Sequence, residues 1–489
     1  MLIQVIGETF ETSVDLMLKS RLLVDAYEIR VDLIENVARE KLLYLKTLTT
    51  KKILLTLRSQ EQGGKFVGSI EKYEQIVTYL ASLEPDYLDV EIGISQEFID
   101  MIKTRYPALK IVVSSHSLHS FSSISQAFAH LLTYKADVYK LAITGHALDA
   151  LEMLLETRKL SQNNKAVVGI VMGERGQFSR ILSKVAGNYF TYCSCKTYAP
   201  GQLSALELLD VYHIRSTALS TKVFALIGAP VSSSPSHYTH NKLFRELGLD
   251  AVYVKILLSQ QELAPFLEKA KEFFSGFSVT APYKEKVIPF LEGISLKAQE
   301  IGAVNTLIKH SKGWYGDNTD YIGAFEALRN QLDLQNKRCL VIGSGGASKA
   351  IVYSLKKDSH VSVLTRLLPS KKNSCSFYTY ETIDQLAQGP RFDVIIQATS
   401  CELKGETLPE SVYQLFTHQT VIFETLIKPR VTQFVRRALE KKCSVVWGFE
   451  MFLYQAKAQF LLWYPDLKHP VDLYKILKKI YQDYQSLDS

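Results

Sequence analysis

The first 210 residues repeat one theme, in which short runs of apolar and β-branched residues alternate with longer amphipathic stretches. The runs fall at 4–6, 26–31, 53–57, 87–92, 110–113, 138–143, 166–172 and 189–192, with helical patterns such as 70–83 and 147–158 between them. Strands separated by helices pair in parallel, and a parallel sheet needs its faces covered. Eight strand-then-helix units in about 210 residues predict a (β/α)8 TIM barrel, slightly compact for its class. An open doubly wound sheet shows the same alternation, and periodicity alone does not separate the two.

The pattern then restarts twice. KVFALIGAPV (222–231) reads as a buried strand ending in a turn, followed by a serine-rich loop entering a helix. RCLVIGSGGASKAIVYSL (338–355) reads as strand, glycine turn, helix, the opening of a Rossmann unit. Further strands are expected at 360–364, 393–398, 421–423 and 444–446, and residues 451–487 carry a helical pattern placed to pack back onto the second unit. The expected domains are a barrel at 1–212, a substrate-binding domain at 222–325 completed by helices at 450–489, and a dinucleotide-binding domain at 330–448.

A chain of 489 residues is too long for one core, which agrees with that division. With 47% hydrophobic and 22% charged residues it is an ordinary globular chain rather than a disordered one. The net charge of +7 is spread along the sequence, which argues against a nucleic-acid partner and suits anionic small molecules. Cys193, Cys195, Cys339, Cys375, Cys401 and Cys443 fit neither a zinc site nor a disulfide framework, so no metal is expected and the thiols read as reduced in a cytoplasmic protein. The N-terminus lacks a signal-peptide pattern and no apolar run is long enough to span a bilayer, so no membrane partner is expected.

In a (β/α)8 barrel the reactive side chains gather at the C-terminal ends of the strands. Polar residues inside or just after the runs are Glu28, Arg30, Arg58, Asp89, Glu91, His116, Lys140 and Arg180. Lys140 sits within the apolar VYKLAIT, and desolvation of a lysine favours the neutral amine, a nucleophile toward a ketone. A strand-edge lysine snorkelling to solvent is the competing reading. Arginine forks bind carboxylates, so three arginines around a lysine and a histidine suit an anionic polyhydroxy substrate; pairing of each with a nearby acid is the alternative.

In the later part, VIGSGGASK (341–349) places Gly343, Gly345 and Gly346 between strand and helix, where a pyrophosphate could approach the helix N-terminus. The next strand ends in Thr365-Arg366, and an arginine at that point suits the 2′-phosphate of NADP, although a plain surface arginine is also consistent. SPSHYTH (234–240), VTAPYKE (279–285), GAVNT (302–306) and GDNTD (316–320) are compact polar motifs, in which Lys284 and Asp320 could pass a proton to or from a hydroxyl.

On EIRVD (28–32), LLTLRS (54–59), the paired glycines 63–64, LDVEI (88–92), IVVSSH (111–116), YKLAI (139–143), FSRILSKVAG (178–187) and APGQ (199–202), the first part resembles type I 3-dehydroquinate dehydratases along its whole length. The resemblance implies a Schiff base at Lys140, proton shuttling by His116, and substrate binding by Glu28, Arg30, Arg58, Arg180 and Gln202. It also shows departures: Gln62 stands where the family has glutamate, Ser115 and Ser117 flank His116, and Tyr198 replaces a serine.

The four later motifs with WGFEMFLYQA (447–456) resemble shikimate dehydrogenase over roughly 222–485. That resemblance implies Lys284 and Asp320 as the catalytic pair and Ser234, Ser236, Thr280, Asn305 and Gln455 as shikimate-binding positions. It implies cofactor-binding positions at Gly343, Gly345, Gly346, Ala347, Thr365, Arg366 and Gly448, with Ile427 and Tyr321 as departures from the family pattern. The expected function is conversion of 3-dehydroquinate to 3-dehydroshikimate and its reduction to shikimate with NADPH. A metabolite-sensing regulator built from the same domains is the alternative, disfavoured by the retained Lys140, His116, Lys284 and Asp320. An aldolase-type barrel would leave the later motifs unexplained.

Overall fold

The structure, a computed structural model, describes every residue except Glu8, 35–37, 118–120, 195–200, 369–374, 468–471 and 488–489. The chain divides into two compact units, one of Met1–Val223 with Phe244–Phe273 and one of Phe224–Leu243 with Phe274–Ser489.

The first unit contains strands β1 (Leu2–Ile6), β2 (Ala26–Arg30), β3 (Lys52–Thr56), β4 (Tyr87–Glu91), β5 (Lys110–Ser115), β6 (Val138–Thr144), β7 (Val167–Met172) and β8 (Thr191–Cys193). Each overlaps one of the apolar runs. They form one sheet in the order β7-β6-β5-β4-β3-β2-β1-β8, every pair parallel. Sequential order with β8 returning to β1 makes a nearly closed barrel and excludes the open doubly wound sheet. At the β7/β8 seam, where β8 has only three residues, the Tyr189 N–H donates to the Val167 carbonyl at 2.8 Å. Thr9, Ser69, Ser95 and Ser123 cap helices of the outer ring by accepting a backbone N–H three residues on.

Strand geometry explains how an apolar barrel acquires a reactive end. Ala26, Leu54, Tyr87, Val112, Val138, Val168 and Phe190 belong to one buried interior cluster. Strand side chains alternate faces, so the residue two positions on also points inward, one layer higher. Those residues are Glu28, Thr56, Asp89, Ser114, Lys140, Ile170 and Tyr192, all buried. Two positions further come Arg30, Arg58, Glu91 and His116. Each larger apolar side chain of the lower layer contributes roughly 1.5–3 kcal/mol of burial, whereas the layers above it are chiefly polar.

In the second unit, strands Lys222–Gly228, Gly276–Val279, Thr306–Lys309, Trp314–Asp317 and Gly293–Ile294 run side by side in that order. Another sheet is fully parallel, in the order Ser376–Thr379, His360–Thr365, Arg338–Ile342, Val394–Gln397, Val421–Glu424, Ser444–Trp447. Counted along the chain this is the order 3-2-1-4-5-6 of a Rossmann sheet, whose ligand crevice lies between its first and fourth strands. Sequence reading passed over Ser376–Thr379, whose SFYT lacks an apolar run. The helical pattern at 451–487 resolves into two helices, Gly448–Trp463 and Leu473–Leu487. The first stops at Tyr464, just before Pro465, which has no N–H for helix bonding.

Two candidate active sites

Lys140 lies inside the barrel, 3% exposed. Its Nζ stands 3.4 Å from Glu28 Oε1, 3.6 Å from Asp89 Oδ2 and 4.6 Å from the centre of the Tyr192 ring. The lysine is therefore paired within the barrel and does not snorkel to solvent. Glu28 also accepts from the Thr56 hydroxyl at 2.8 Å. Asp89 Oδ1 accepts from Arg58 and Ser114, while Oδ2 has no hydrogen bond and is left facing the lysine. Burial works to raise the Asp89 carboxyl, but Arg58, Lys140 and Ser114 together outweigh it and hold the group below its ordinary value.

The three arginines play different parts. Arg58 is buried and fully engaged, its guanidinium reaching Asp89 at 2.8 Å and Glu91 and Ser114 at 2.9 Å each. Arg30 makes a bidentate fork with Asp32 at 2.8 and 2.9 Å. Arg180, on the short helix Phe178–Ile181, is 2% exposed and has no carboxylate partner among the described residues. Among the described residues its Nη1 donates to the carbonyls of Val171 and Gly201, at 3.4 and 3.3 Å, and its Nε has no hydrogen-bond partner. Burial pushes this guanidinium down to about 10. An uncompensated buried cation at the mouth of a barrel is a seat for an anion.

His116 follows β5, its Nδ1 buried without a hydrogen-bond partner. Burial, with Arg58, Lys140 and Arg30 nearby, holds it well below the usual histidine value, so it is neutral and can take a proton. Gln62 accepts from the His116 backbone N–H at 2.6 Å, so one departure from the family pattern grips the histidine loop. The paired glycines make this possible. A Cβ on Gly64 would lie 2.1 Å from the Arg58 carbonyl oxygen, so only glycine lets the loop fold back over Arg58. Tyr198 and Cys195 lie outside the described residues, and Gln202 is partly buried beside Gly201.

In the second unit, Lys284 Nζ and Asp320 Oδ2 are 2.7 Å apart. Asp320 begins the helix Asp320–Arg329, and its other oxygen accepts from Asn305 Nδ2 at 2.9 Å. Asn305 Nδ2 also reaches Gln455 Oε1 at 3.3 Å, and its Oδ1 accepts from the Thr319 backbone N–H at 2.8 Å. Gln459 donates to the Asn305 carbonyl and to Thr306 Oγ1, which fixes the strand from the C-terminal helix. Lys284, Asp320, Asn305 and Gln455 thus form one network. Ser234 and Ser236 bond to each other at 2.9 Å, and their loop joins the Thr280 segment through the Ala229 N–H to the Ala281 carbonyl.

The glycine loop meets this network. A Cβ on Gly346 would stand 2.9 Å from Lys284 Cβ, so glycine is required where the first turn of Gly346–Leu355 closes on the lysine. Lys349 of that helix pairs with Glu285. The helix has no side-chain cap at Gly345, which leaves its first N–H groups for a ligand, and Gly345 faces open space. Gly343 packs beside Ala398 and Thr399, at the crevice between the first and fourth strands, and Ala347 continues the helix. Thr365 is buried at the end of its strand and Arg366 follows it, exposed. Gly448 lies against the carbonyls of Thr425 and Leu426. The residues present therefore fit a dinucleotide. Tyr321, another departure from the family pattern, packs edge-on to Tyr353 of the helix Gly346–Leu355 and accepts a hydrogen bond from Lys297.

Sequence reading gave no role to Thr56, Ser114 or Tyr192, and noted Asp89 and Glu91 only as polar. The two-residue step along each strand from an interior apolar position was the signal that could have grouped them. Among the described residues no group of three His, Cys, Asp or Glu could hold a metal, and no helix is long and apolar enough to cross a membrane.

Comparison with known proteins identifies the families of the two halves. Residues 1–218 match the type I 3-dehydroquinase family and residues 226–307 the shikimate dehydrogenase substrate binding domain. The class is therefore a lyase joined to an oxidoreductase that uses a nicotinamide cofactor. The chain is 32% identical to the chloroplastic bifunctional 3-dehydroquinate dehydratase/shikimate dehydrogenase of Arabidopsis thaliana, over 92% of its own length and 79% of the relative's. It is 31% identical to the shikimate biosynthesis protein AroDE of Chlamydia trachomatis over 94% of both. Half of the chain is 38% identical to 95% of the shikimate dehydrogenase (NADP(+)) of Pyrococcus abyssi. The chain belongs to the family of bifunctional 3-dehydroquinate dehydratase/shikimate dehydrogenases and is a two-headed enzyme of the shikimate pathway.

Proposed function

We propose that the dehydratase works through a Schiff base on Lys140 and that the dehydrogenase uses NADPH. The observation that carries the first part is a buried lysine held by two carboxylates at contacts no shorter than 3.4 Å. The Lys140 amine attacks the ketone carbon of 3-dehydroquinate; loss of the carbonyl oxygen as water gives an iminium. The iminium withdraws electrons from the adjacent C–H, whose proton passes to His116 and leaves an enamine. The enamine expels the β-hydroxyl, which departs as water with the proton from His116. Hydrolysis of the conjugated iminium then frees 3-dehydroshikimate and the lysine. Arg180 holds the substrate carboxylate, with Glu28, Arg30, Arg58 and Gln202 completing the pocket.

In the second unit, Ser234, Ser236, Thr280, Asn305 and Gln455 hold 3-dehydroshikimate with its carbonyl against Lys284. The cofactor supplies the hydride. Lys284 gives its proton to the carbonyl oxygen as the alcohol forms, and Asp320 orients the ammonium and balances its charge. Gly343, Gly345, Gly346, Ala347 and Gly448 hold the dinucleotide, and Thr365 with Arg366 takes the 2′-phosphate that distinguishes NADP from NAD. The barrel at 1–212, the substrate-binding domain at 222–325 with 450–489 and the dinucleotide-binding domain at 330–448 are the working divisions of this scheme, which we place in the cytoplasm.

The test supplies the whole chain with 3-dehydroquinate and follows NADPH oxidation. Lys140→Ala is expected to stop the signal, and added 3-dehydroshikimate to restore it. Borohydride with 3-dehydroquinate is expected to leave a mass adduct on Lys140 in the parent chain alone. A parent chain with no adduct removes the Schiff-base reading, and equal rates with NADH remove the cofactor reading.

A further inference from the structure

Tyr192 is part of β8 and of the barrel interior, one layer above Phe190. It is 4% exposed, yet its hydroxyl is buried without a hydrogen-bond partner among the described residues. A buried phenol normally finds a partner, so one left unbonded among charged groups marks a place for something else to bind. The groups acting on this hydroxyl are Glu28, Asp89, Arg58 and Arg30, all of the first site, which puts it in the reactive layer. Its ring meanwhile lies under the Lys140 nitrogen at 4.6 Å. Aromatic faces attract cations, most strongly where water is excluded.

We infer that Tyr192 is a further positioning residue of the dehydratase site: its ring face carries the Lys140 nitrogen, and its hydroxyl bonds to an oxygen of the bound cyclic hydroxy acid. The inference rests on the Schiff-base reading of Lys140. The nitrogen is cationic as the free ammonium and again as the iminium, so the ring favours the covalent intermediate as well as the resting state. Glu28 on β2 and Asp89 on β4 attract the same nitrogen from across the barrel, but they also draw the ammonium toward themselves. The ring supplies attraction without a hydrogen-bond acceptor, so it holds the nitrogen in place without engaging its N–H groups. The hydroxyl, fixed at the rim of the same ring, reads the substrate's oxygen pattern at a set distance from the reacting carbon.

Two substitutions separate the parts. Tyr192→Phe keeps the ring and removes the hydroxyl; the expected result is a KM for 3-dehydroquinate raised roughly tenfold, with kcat within about twofold. Tyr192→Leu removes the ring; the expected result is borohydride capture of the Lys140 adduct slowed about tenfold at saturating substrate, with kcat lowered in step. Shikimate oxidation by the second unit, assayed in the same preparations, shows that the protein is sound. Parent values of KM in the phenylalanine variant and of capture rate in the leucine variant overturn the inference. If the parent chain itself forms no adduct, the Schiff-base reading fails first, so the two failures are distinguishable.

Discussion

Each half of the chain pairs a lysine with carboxylate, and the two pairings differ in a way that matches the tasks proposed for them. Lys140 stands at 3.4 and 3.6 Å from two acids, nearly sealed from water. Lys284 is bonded to one acid at 2.7 Å, and its side chain is 17% exposed. A lysine that must leave its partners to bond a carbon is served by long, divided contacts. One that only hands over a proton, and must be recharged from solvent, is served by a short contact with an open side. The anion seats differ as well. Among the described residues the barrel keeps a buried guanidinium, Arg180, without an acid, whereas the crevice proposed for the dinucleotide has backbone N–H groups without a side-chain cap and an exposed Arg366.

The largest effect expected from this contrast is on the tight pair. Asp320→Asn keeps the hydrogen bond from Asn305 in reach but removes the charge that orients Lys284, and should lower kcat for shikimate oxidation by about 10²- to 10⁴-fold. Dehydration in the same protein should be unchanged; a parallel fall in both would break the division into two independent sites. Next comes Arg180→Met. The cation has no acid to leave behind, so replacing it with an apolar chain of similar length should not lower the thermal midpoint. Loss of a charge-assisted bond to the substrate should nevertheless raise the KM for 3-dehydroquinate by roughly 10- to 100-fold. A collapse of stability with unchanged KM would make Arg180 a structural residue.

Most of the architecture was legible because it follows from periodicity. Eight apolar runs gave eight strands, and a glycine turn between strand and helix marked the dinucleotide unit. What could not be read was which of two partners a long polar side chain chooses. Arg58 and Arg180 look alike in sequence, each just beyond an apolar run, but Arg58 is consumed by Asp89 and Glu91 while Arg180 is left open. Asp89 comes 31 residues after Arg58, and the register of β3 on β4 is needed to bring them together. Ser376–Thr379 was passed over for a related reason, since an edge strand need not be apolar on both faces. The lysine–carboxylate distances, on which the contrast between the halves rests, left no trace in the sequence.

The smallest expected effect tests the same contrast through buried carboxyls. Asp89 and Glu424 both lie within parallel strands, at 0% and 1% exposure. Asp89 faces two cations and is held below its ordinary value. Glu424 faces none: burial pushes it up to about 7, and the hydrogen bonds from the Leu426 N–H and the Thr432 hydroxyl only partly oppose this, with Glu402 nearby raising it further. The two groups therefore act on stability in opposite senses. Asp89 contributes at neutral pH a stability that is lost as pH falls below its ordinary value of 3.8. Glu424, raised from 4.5 to about 7, binds its proton more tightly in the folded chain, so its contribution is complete below pH 4.5 and is lost as pH rises toward and through 7. Between pH 6 and 8 that loss is on the order of 1 kcal/mol, a few degrees in midpoint. Glu424→Gln cannot ionise, and the Thr432 hydroxyl can turn to accept from the new amide. Residual shikimate oxidation after heating should fall from pH 6 to 8 in the parent chain and stay level in the variant, with dehydration, which reports the other unit, following the same course in both. An equal pH slope in parent and variant would show that Glu424 is ionised in the folded state, and the electrostatic contrast between the two halves would then be confined to their lysines.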